Sequence, residues 1–194
     1  MREAEVRGSY ALARVTVVRA AVARSLLWIG VVGAAAGVLL PSLVPRVPAA
    51  LVGAGLFVVG VVYGVVHRRG WWHSRAAAAQ RAGFTVTVEP ARLTRRRQVR
   101  DCGLLHLAGL LVLAGSGFAA GPAAGLGVAG LGVGLLLSVR RLVRWERAHE
   151  VLLWARTDDG WLLGRRGATG AWSSTGPAAG RVRPVVHPVR VGRR

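Results

Sequence analysis

Hydrophobic positions are gathered into four long stretches, and polar positions occupy the segments between them. The stretches cover residues 26–44, 47–66, 104–120 and 123–139, and none contains Asp, Glu, Lys or Arg. As helices of 17 to 20 residues they measure about 25 to 30 Å, close to the ~30 Å hydrocarbon core of a bilayer. The pattern therefore predicts four transmembrane helices.

Short and long connections alternate between these stretches. The first and third connections, PSLVPRVP and AGPA, are turn-like, whereas residues 67–103 form a long basic segment. The predicted fold is an all-α membrane protein with four transmembrane helices in two hairpins, residues 26–66 and 104–139. A cleaved signal peptide is the alternative for the first stretch. That stretch is longer than a typical signal-peptide core, and a second apolar stretch follows it at once.

Strand patterns occur outside the apolar stretches. The alternating segment FTVTVE at 84–89 predicts a strand, and RLTRRRQV after Pro90 is expected to return antiparallel to it. In the tail, VLLWAR and WLLGRR flank TDDG, whose residues favour a hairpin turn. An isolated hairpin is only marginally stable in water. The strands of the loop and the tail are therefore expected to meet in one small β-rich cytoplasmic module.

Six segments follow from these patterns. They are a basic N-terminal segment (1–25), a first transmembrane hairpin (26–66), a basic loop (67–103), a second transmembrane hairpin (104–139), a helix end followed by a β-hairpin (140–167), and a flexible basic tail (168–194). The tail is expected to be largely disordered because its glycine-, serine- and proline-rich composition offers little apolar surface to bury.

The distribution of positive charge predicts the orientation. The net charge is +19, and all 27 basic residues are arginine. Five precede residue 26, nine lie in 67–103 and twelve follow residue 139, which leaves only Arg46 for the opposite side. Basic segments are retained in the cytoplasm. The predicted location is a bacterial inner membrane, with both termini cytoplasmic. The absence of lysine and asparagine indicates a GC-rich gene and a high-GC bacterium, which weakens the arginine excess as evidence for nucleic-acid binding.

Arginine and tryptophan beside the apolar stretches predict contacts with lipid headgroups or a partner, because anionic leaflets attract such clusters and tryptophan favours the headgroup level. Nucleic acid is the less favoured ligand, since no aromatic residue is interleaved with the arginines of 93–100. The predicted contact residues are Arg68, Arg69, Trp71, Trp72, Arg95, Arg96, Arg97, Arg100, Arg140, Arg141 and Arg144.

Glycines four residues apart recur in the apolar stretches. Such pairs let helix backbones approach closely in lipid, and so predict a compact bundle or a homo-oligomer. With 27 glycines in the chain, chance occurrence is the alternative explanation for any single pair. The predicted packing residues are Gly33, Gly37, Gly60, Gly64, Gly121, Gly125, Gly130 and Gly134.

Reactive chemistry is sparse. Cys102 is the only cysteine, and His67 and His73 have no third ligand at a recognisable spacing, so no metal or cofactor site is expected. No HExxH, nucleophile-elbow, Walker or dinucleotide-binding motif occurs. The expected role is a non-enzymatic accessory or scaffold protein that contacts a partner or anionic lipid through its basic cytoplasmic face. A small oligomeric transporter or channel is the alternative, with His106 as the ionisable group inside an apolar stretch. A membrane-embedded enzyme ranks third.

Overall fold

The computed structural model describes residues 11–41, 43–67, 69–82, 87–88, 91–156 and 172–176. Over this part of the chain the protein is mostly helical, with a small sheet. The helices are α1 (Val15–Leu39), α2 (Arg46–Val66), α3 (Arg69–Ala77), α4 (Ala91–Ala120) and α5 (Ala123–Ala148). The strands are β1 (Ala11–Arg14), β2 (Gln80–Arg81), β3 (Thr87–Val88), β4 (Leu152–Arg156) and β5 (Ser173–Thr175).

Among the residues that the structure describes, three helices are long and apolar enough to cross a membrane. They are α1, α2 and α5, with mean hydropathies of 1.8, 2.3 and 1.7 over their apolar segments. Large apolar side chains on their surfaces are exposed, including Leu51, Val59 and Val62 on α2, as expected where lipid replaces water. The fourth predicted span lies within α4, whose apolar stretch His106–Gly117 is shorter. The membrane-spanning role of α4 therefore stays a prediction.

The helices extend beyond the predicted apolar spans. Helix α1 begins at Val15 and not near residue 26, and α4 begins at Ala91. The expectation of an antiparallel strand over 92–99 was wrong, because those residues form the first turns of α4. Ala, Leu, Arg and Gln have high helix propensity, and tertiary packing supports the extension of α1, since Val15 and Val18 are buried. The predicted continuation of the last span is observed, with α5 ending at Ala148.

Helix α5 lies between α1 and α2. Its extensive contacts are with these two helices, and those of α4 are with α1. Helices that follow each other in sequence are therefore not the main packing partners. In the spatial order α2, α5, α1, α4, helix α5 lies between α1 and α2 and contacts both.

The strands form one five-stranded sheet in the order β2-β5-β4-β1-β3. Strand β4 is central and pairs antiparallel with β5 on one side and with β1 on the other. The two edge strands pair in parallel, β2 with β5 and β3 with β1. Strands from the loop and the tail thus share one sheet, which confirms a small β-rich module.

Two features of this sheet differ from the expectation. Strand β1 comes from the N-terminal segment, where only basic character was predicted, and its Leu12 and Ala13 are buried. Strand β4 also pairs with Ser173–Thr175, whereas the sequence predicted pairing with WLLGRR at 161–166, which lies outside the described residues. The tail assigned to disorder therefore supplies a strand, and Trp172 just before it is buried.

Candidate functional site

The sheet lies at one end of the helix bundle because four of its five strands, β1 to β4, adjoin a helix end on that side. Strand β1 runs directly into α1, two residues separate β3 from α4, and three separate α5 from β4. Helix α3 follows the end of α2 and leads to β2. The beginnings of α1 and α4 and the ends of α2 and α5 are thus gathered beside the sheet. We call this region the junction, defined by β1–β5, α3 and the helix ends next to them.

Glu146 links three elements of the junction through hydrogen bonds. Its side chain is only 2% exposed, and Oε2 accepts a hydrogen bond from Nη2 of Arg14 at 3.0 Å. Its other carboxylate oxygen, Oε1, accepts the backbone N–H of Leu153 at 3.1 Å, and the Glu146 carbonyl accepts the N–H of Val151 at 3.1 Å. A buried carboxylate needs such partners to offset its lost hydration. One side chain therefore ties the end of α5 to both β1 and β4.

The core of the junction joins helices to sheet through apolar side chains. Its buried members are Val15, Trp72, Ala76, Leu142, Leu153, Ala155 and Trp172. Trp72 meets the partly buried Trp145 edge to face, with 6.4 Å between the ring centroids. The guanidinium of Arg19 lies 5.3 Å from the ring centroid of Trp172, within the range of a cation–π contact.

Trp72 requires a correction. The sequence placed it at the lipid headgroups, but only 5% of its surface is exposed, and it packs in the core of the junction. A tryptophan beside an apolar helix end suits either environment, and α3 turns this ring toward α5 and the sheet. The companion predictions, Arg68 and the side chains of Arg69 and Trp71, lie outside the described residues.

Three predicted contact arginines are exposed near the end of α5: Arg140, Arg141 and Arg144. Arg140, Arg144 and Arg147 recur at spacings of four and three, so they share one helix face. The opposite face carries the buried Val139, Leu142 and Glu146. On α4, Arg96 is exposed, while the side chains of Arg95, Arg97 and Arg100 lie outside the described residues. The basic surface described here is therefore centred on α5.

Glycines form close contacts on both sides of α5. A Cβ added to Gly130 would collide with the backbone of Phe57 in α2, and one added to Gly125 would collide with Ala34 in α1. Of the remaining predicted glycines, Gly60, Gly64 and Gly134 lie at the α2–α5 contact, Gly33 faces Leu113 of α4, and Gly37 faces Gly121. Gly30 and Gly132, which were not predicted, lie at the α1–α5 contact. Most of these positions lie in the contacts of α5 with α1 and α2, whereas Gly33 lies in the contact of α1 with α4.

Gly121 has a different role from the other predicted glycines. It lies between α4 and α5 with φ of 61°, the left-handed region in which a side chain is strained. Pro122 and Ala123 follow, and all three residues are buried. Gly121 therefore allows the tight reversal between the two helices.

Two serines within the apolar helices are bound to backbone carbonyls. Ser138 Oγ donates to the Gly64 carbonyl of α2 at 2.8 Å, and Ser116 Oγ donates to the Leu113 carbonyl at 2.9 Å. His106 is partly buried. Among the described residues, no group of three His, Cys, Asp or Glu side chains could hold a metal ion.

Comparisons with protein-family models, with curated proteins and with solved structures give no match. The arrangement itself offers a rigid junction, tightly packed helices and an arginine-bearing helix face. These are features suited to binding and support. The sequence could not identify Glu146 as a link between elements, although it is the one acidic residue among the arginines of residues 140–149.

Proposed function

We propose that this protein is a non-enzymatic accessory or scaffold protein of a bacterial inner membrane. Its bundle anchors the junction at the cytoplasmic face, and the basic surface centred on α5 contacts a protein partner or anionic lipid. One observation carries the proposal: the N-terminal segment, the loop at 67–103 and the chain after residue 139 all supply strands to one sheet at one end of the bundle. Those three segments hold all the arginines except Arg46, and the positive-inside rule assigns such an end to the cytoplasm.

The packing of α5 favours a scaffold role over a transport role. Transport pathways usually retain ionisable or unsatisfied polar groups within the membrane. Ser116 and Ser138 bind backbone carbonyls, and α5 meets both neighbours backbone to backbone at Gly125 and Gly130. These contacts favour a closed bundle with its specific surfaces at the junction.

The orientation is tested with Cys102, the only native cysteine. A membrane-impermeant maleimide is expected to label it in inside-out vesicles and not in intact spheroplasts. The matched control is Leu43→Cys in a Cys102→Ser background, since Leu43 lies between α1 and α2, away from the sheet, and is 79% exposed. This variant should show the reverse labelling. Labelling of Cys102 in intact spheroplasts would overturn the proposal.

The role is tested by purification from native membranes in mild detergent. We expect a stoichiometric partner to co-purify with the chain. That partner should rebind the purified chain in liposomes, and disruption of the junction should abolish its binding. Solute or ion flux through liposomes containing the pure protein, abolished by His106→Ala, would instead establish the transporter and reject the scaffold role.

A further inference from the structure

The exposed arginines at the end of α5 begin where its apolar segment stops. Leu137 is 37% exposed, and Arg140, one helical turn later, opens the basic face. At 1.5 Å per residue, Arg144 lies about 6 Å beyond Arg140 and Arg147 about 10 Å beyond it. The headgroup layer on each side of a bilayer is roughly 5 to 8 Å deep. In a bilayer whose hydrocarbon core ends with the apolar segment of α5, Arg140, Arg141 and Arg144 would lie at the level of the lipid phosphates.

These charges are directed away from the interior of the junction. Leu142 and Glu146 on the opposite face of α5 are 1% and 2% exposed, which fixes the rotation of the helix and keeps the arginine face outward. Glu146, the carboxylate nearest in sequence, is engaged by Arg14, so it does not neutralise the face. The hydrogen bond from the Leu153 N–H to Glu146 links this end of α5 to β4.

We infer that Arg140, Arg141 and Arg144 form a binding site for the phosphate of an anionic phospholipid in the leaflet beside the sheet. The guanidinium group presents paired donors that match phosphate oxygens. The inference rests on the proposed function in one respect, that this end of the bundle meets a bilayer surface. Nucleic acid fits the site less well, because a duplex approaching arginines at headgroup depth would be repelled by the anionic lipids around them.

Binding is measured on the full chain in detergent by titration with phosphatidylglycerol or phosphatidylcholine and native mass spectrometry. The test variant is Arg140→Gln with Arg144→Gln. The matched control is Arg81→Gln with Arg92→Gln, which removes the same charge from two exposed positions on β2 and the start of α4. Each arginine near the surface contributes about fivefold to the binding constant, the equivalent of about 1 kcal/mol.

The wild type is expected to bind phosphatidylglycerol at least tenfold more tightly than phosphatidylcholine. The test variant should lose roughly 25-fold in phosphatidylglycerol binding, and the control should stay within about threefold of the wild type. A further variant, Arg140→Lys with Arg144→Lys, retains the charge but loses the paired donors of guanidinium, and its binding should fall between that of the wild type and that of the test variant. Unchanged tryptophan fluorescence and a monodisperse elution profile show that each variant is folded.

Three results would overturn the inference: equal binding of the two lipids, equal losses in the test and control variants, or tighter binding of duplex DNA than of phosphatidylglycerol at matched salt. Inorganic phosphate is added as a competitor, and displacement of the lipid at similar concentrations would identify a free-anion site instead. The titration does not depend on orientation in a cell. Labelling of Cys102 from outside would therefore reject the proposed function without altering this measurement.

Discussion

Gly130→Ala perturbs a backbone-to-backbone contact between α2 and α5. The added methyl group would lie 2.8 Å from the Cα of Phe57 and closer still to its carbonyl oxygen, whereas ordinary contacts begin at 3.4 Å. Both obstacles are backbone atoms, which cannot move aside as a side chain can. Helices α2 and α5 must therefore separate by at least several tenths of an ångström along their contact.

The magnitude follows from two opposing effects. Forcing one methyl group into a packed contact costs typically 1 to 3 kcal/mol, and backbone obstacles place Gly130 in the upper part of that range. Alanine favours helix over glycine by about 1 kcal/mol in water, which offsets part of the loss. We expect a net destabilisation of about 1 to 2 kcal/mol. Gly55→Ala is the matched control, since this exposed glycine of α2 has no atom within 4 Å of an added methyl group, and its stability should be unchanged or slightly raised.

The assay is equilibrium unfolding of the full chain in mixed micelles, with increasing mole fraction of sodium dodecyl sulfate and tryptophan fluorescence as the signal. Gly130→Ala should lower the unfolding midpoint, and Gly55→Ala should not. Equal midpoints for Gly130→Ala and the wild type would refute the close α2–α5 contact. A lower unfolding midpoint in both variants would show that these glycines stabilise the helices by some property other than the close approach of the helix backbones.

Two further predictions concern the junction. Glu146→Leu removes the acceptor of Arg14 and of the Leu153 N–H, and should lower the free energy of unfolding by about 2 kcal/mol; a fully buried pair would lose more, but Arg14 is 36% exposed. Glu146→Gln keeps one oxygen acceptor and should lose less than half as much in the same unfolding assay. Equal losses in the two variants would contradict the assigned hydrogen bonds. Trp172→Ala leaves a cavity where a side chain only 4% exposed was packed, and should lower the free energy of unfolding by about 3 to 5 kcal/mol. The loss is measured as faster hydrogen exchange at the β4 and β5 amides, with Trp172→Phe as the milder control. Unchanged exchange would show that Trp172 does not stabilise β5.

The sequence predicted the parts of the fold that depend on composition. The apolar stretches of α1, α2 and α5 are helical, as expected of segments long enough to cross a bilayer, where a helix satisfies its own backbone hydrogen bonds. It missed β1, since a central strand buried on both faces shows no alternation, and Leu12 and Ala13 carry no period-two signal. It missed Trp172 because the flanking glycine and serine residues resemble a linker.

The candidate site was predictable in charge and not in geometry. Arg140, Arg141 and Arg144 followed from their position after an apolar stretch, and their exposure agrees with that reasoning. Which tryptophan meets lipid could not be read from sequence, because Trp72 is buried by residues of α5 and the tail that are distant along the chain. The role of Glu146 depends on Arg14, 132 residues away.

The composition of the sheet has a consequence for biogenesis. Strand β1 is synthesised first, but its partner β4 begins at Leu152. About 140 residues must therefore be translated before β1 can pair with β4. At 5 to 20 residues per second that delay is roughly 7 to 30 s. If the apolar helices cross a membrane as proposed, each must be inserted with its strand-bearing end on the same side. A helix inserted in the opposite orientation would place its strand on the other side of the bilayer, and the sheet could not form. Completion of the sheet thus reports correct insertion, and a chain that fails this step exposes unpaired strands to quality-control proteases.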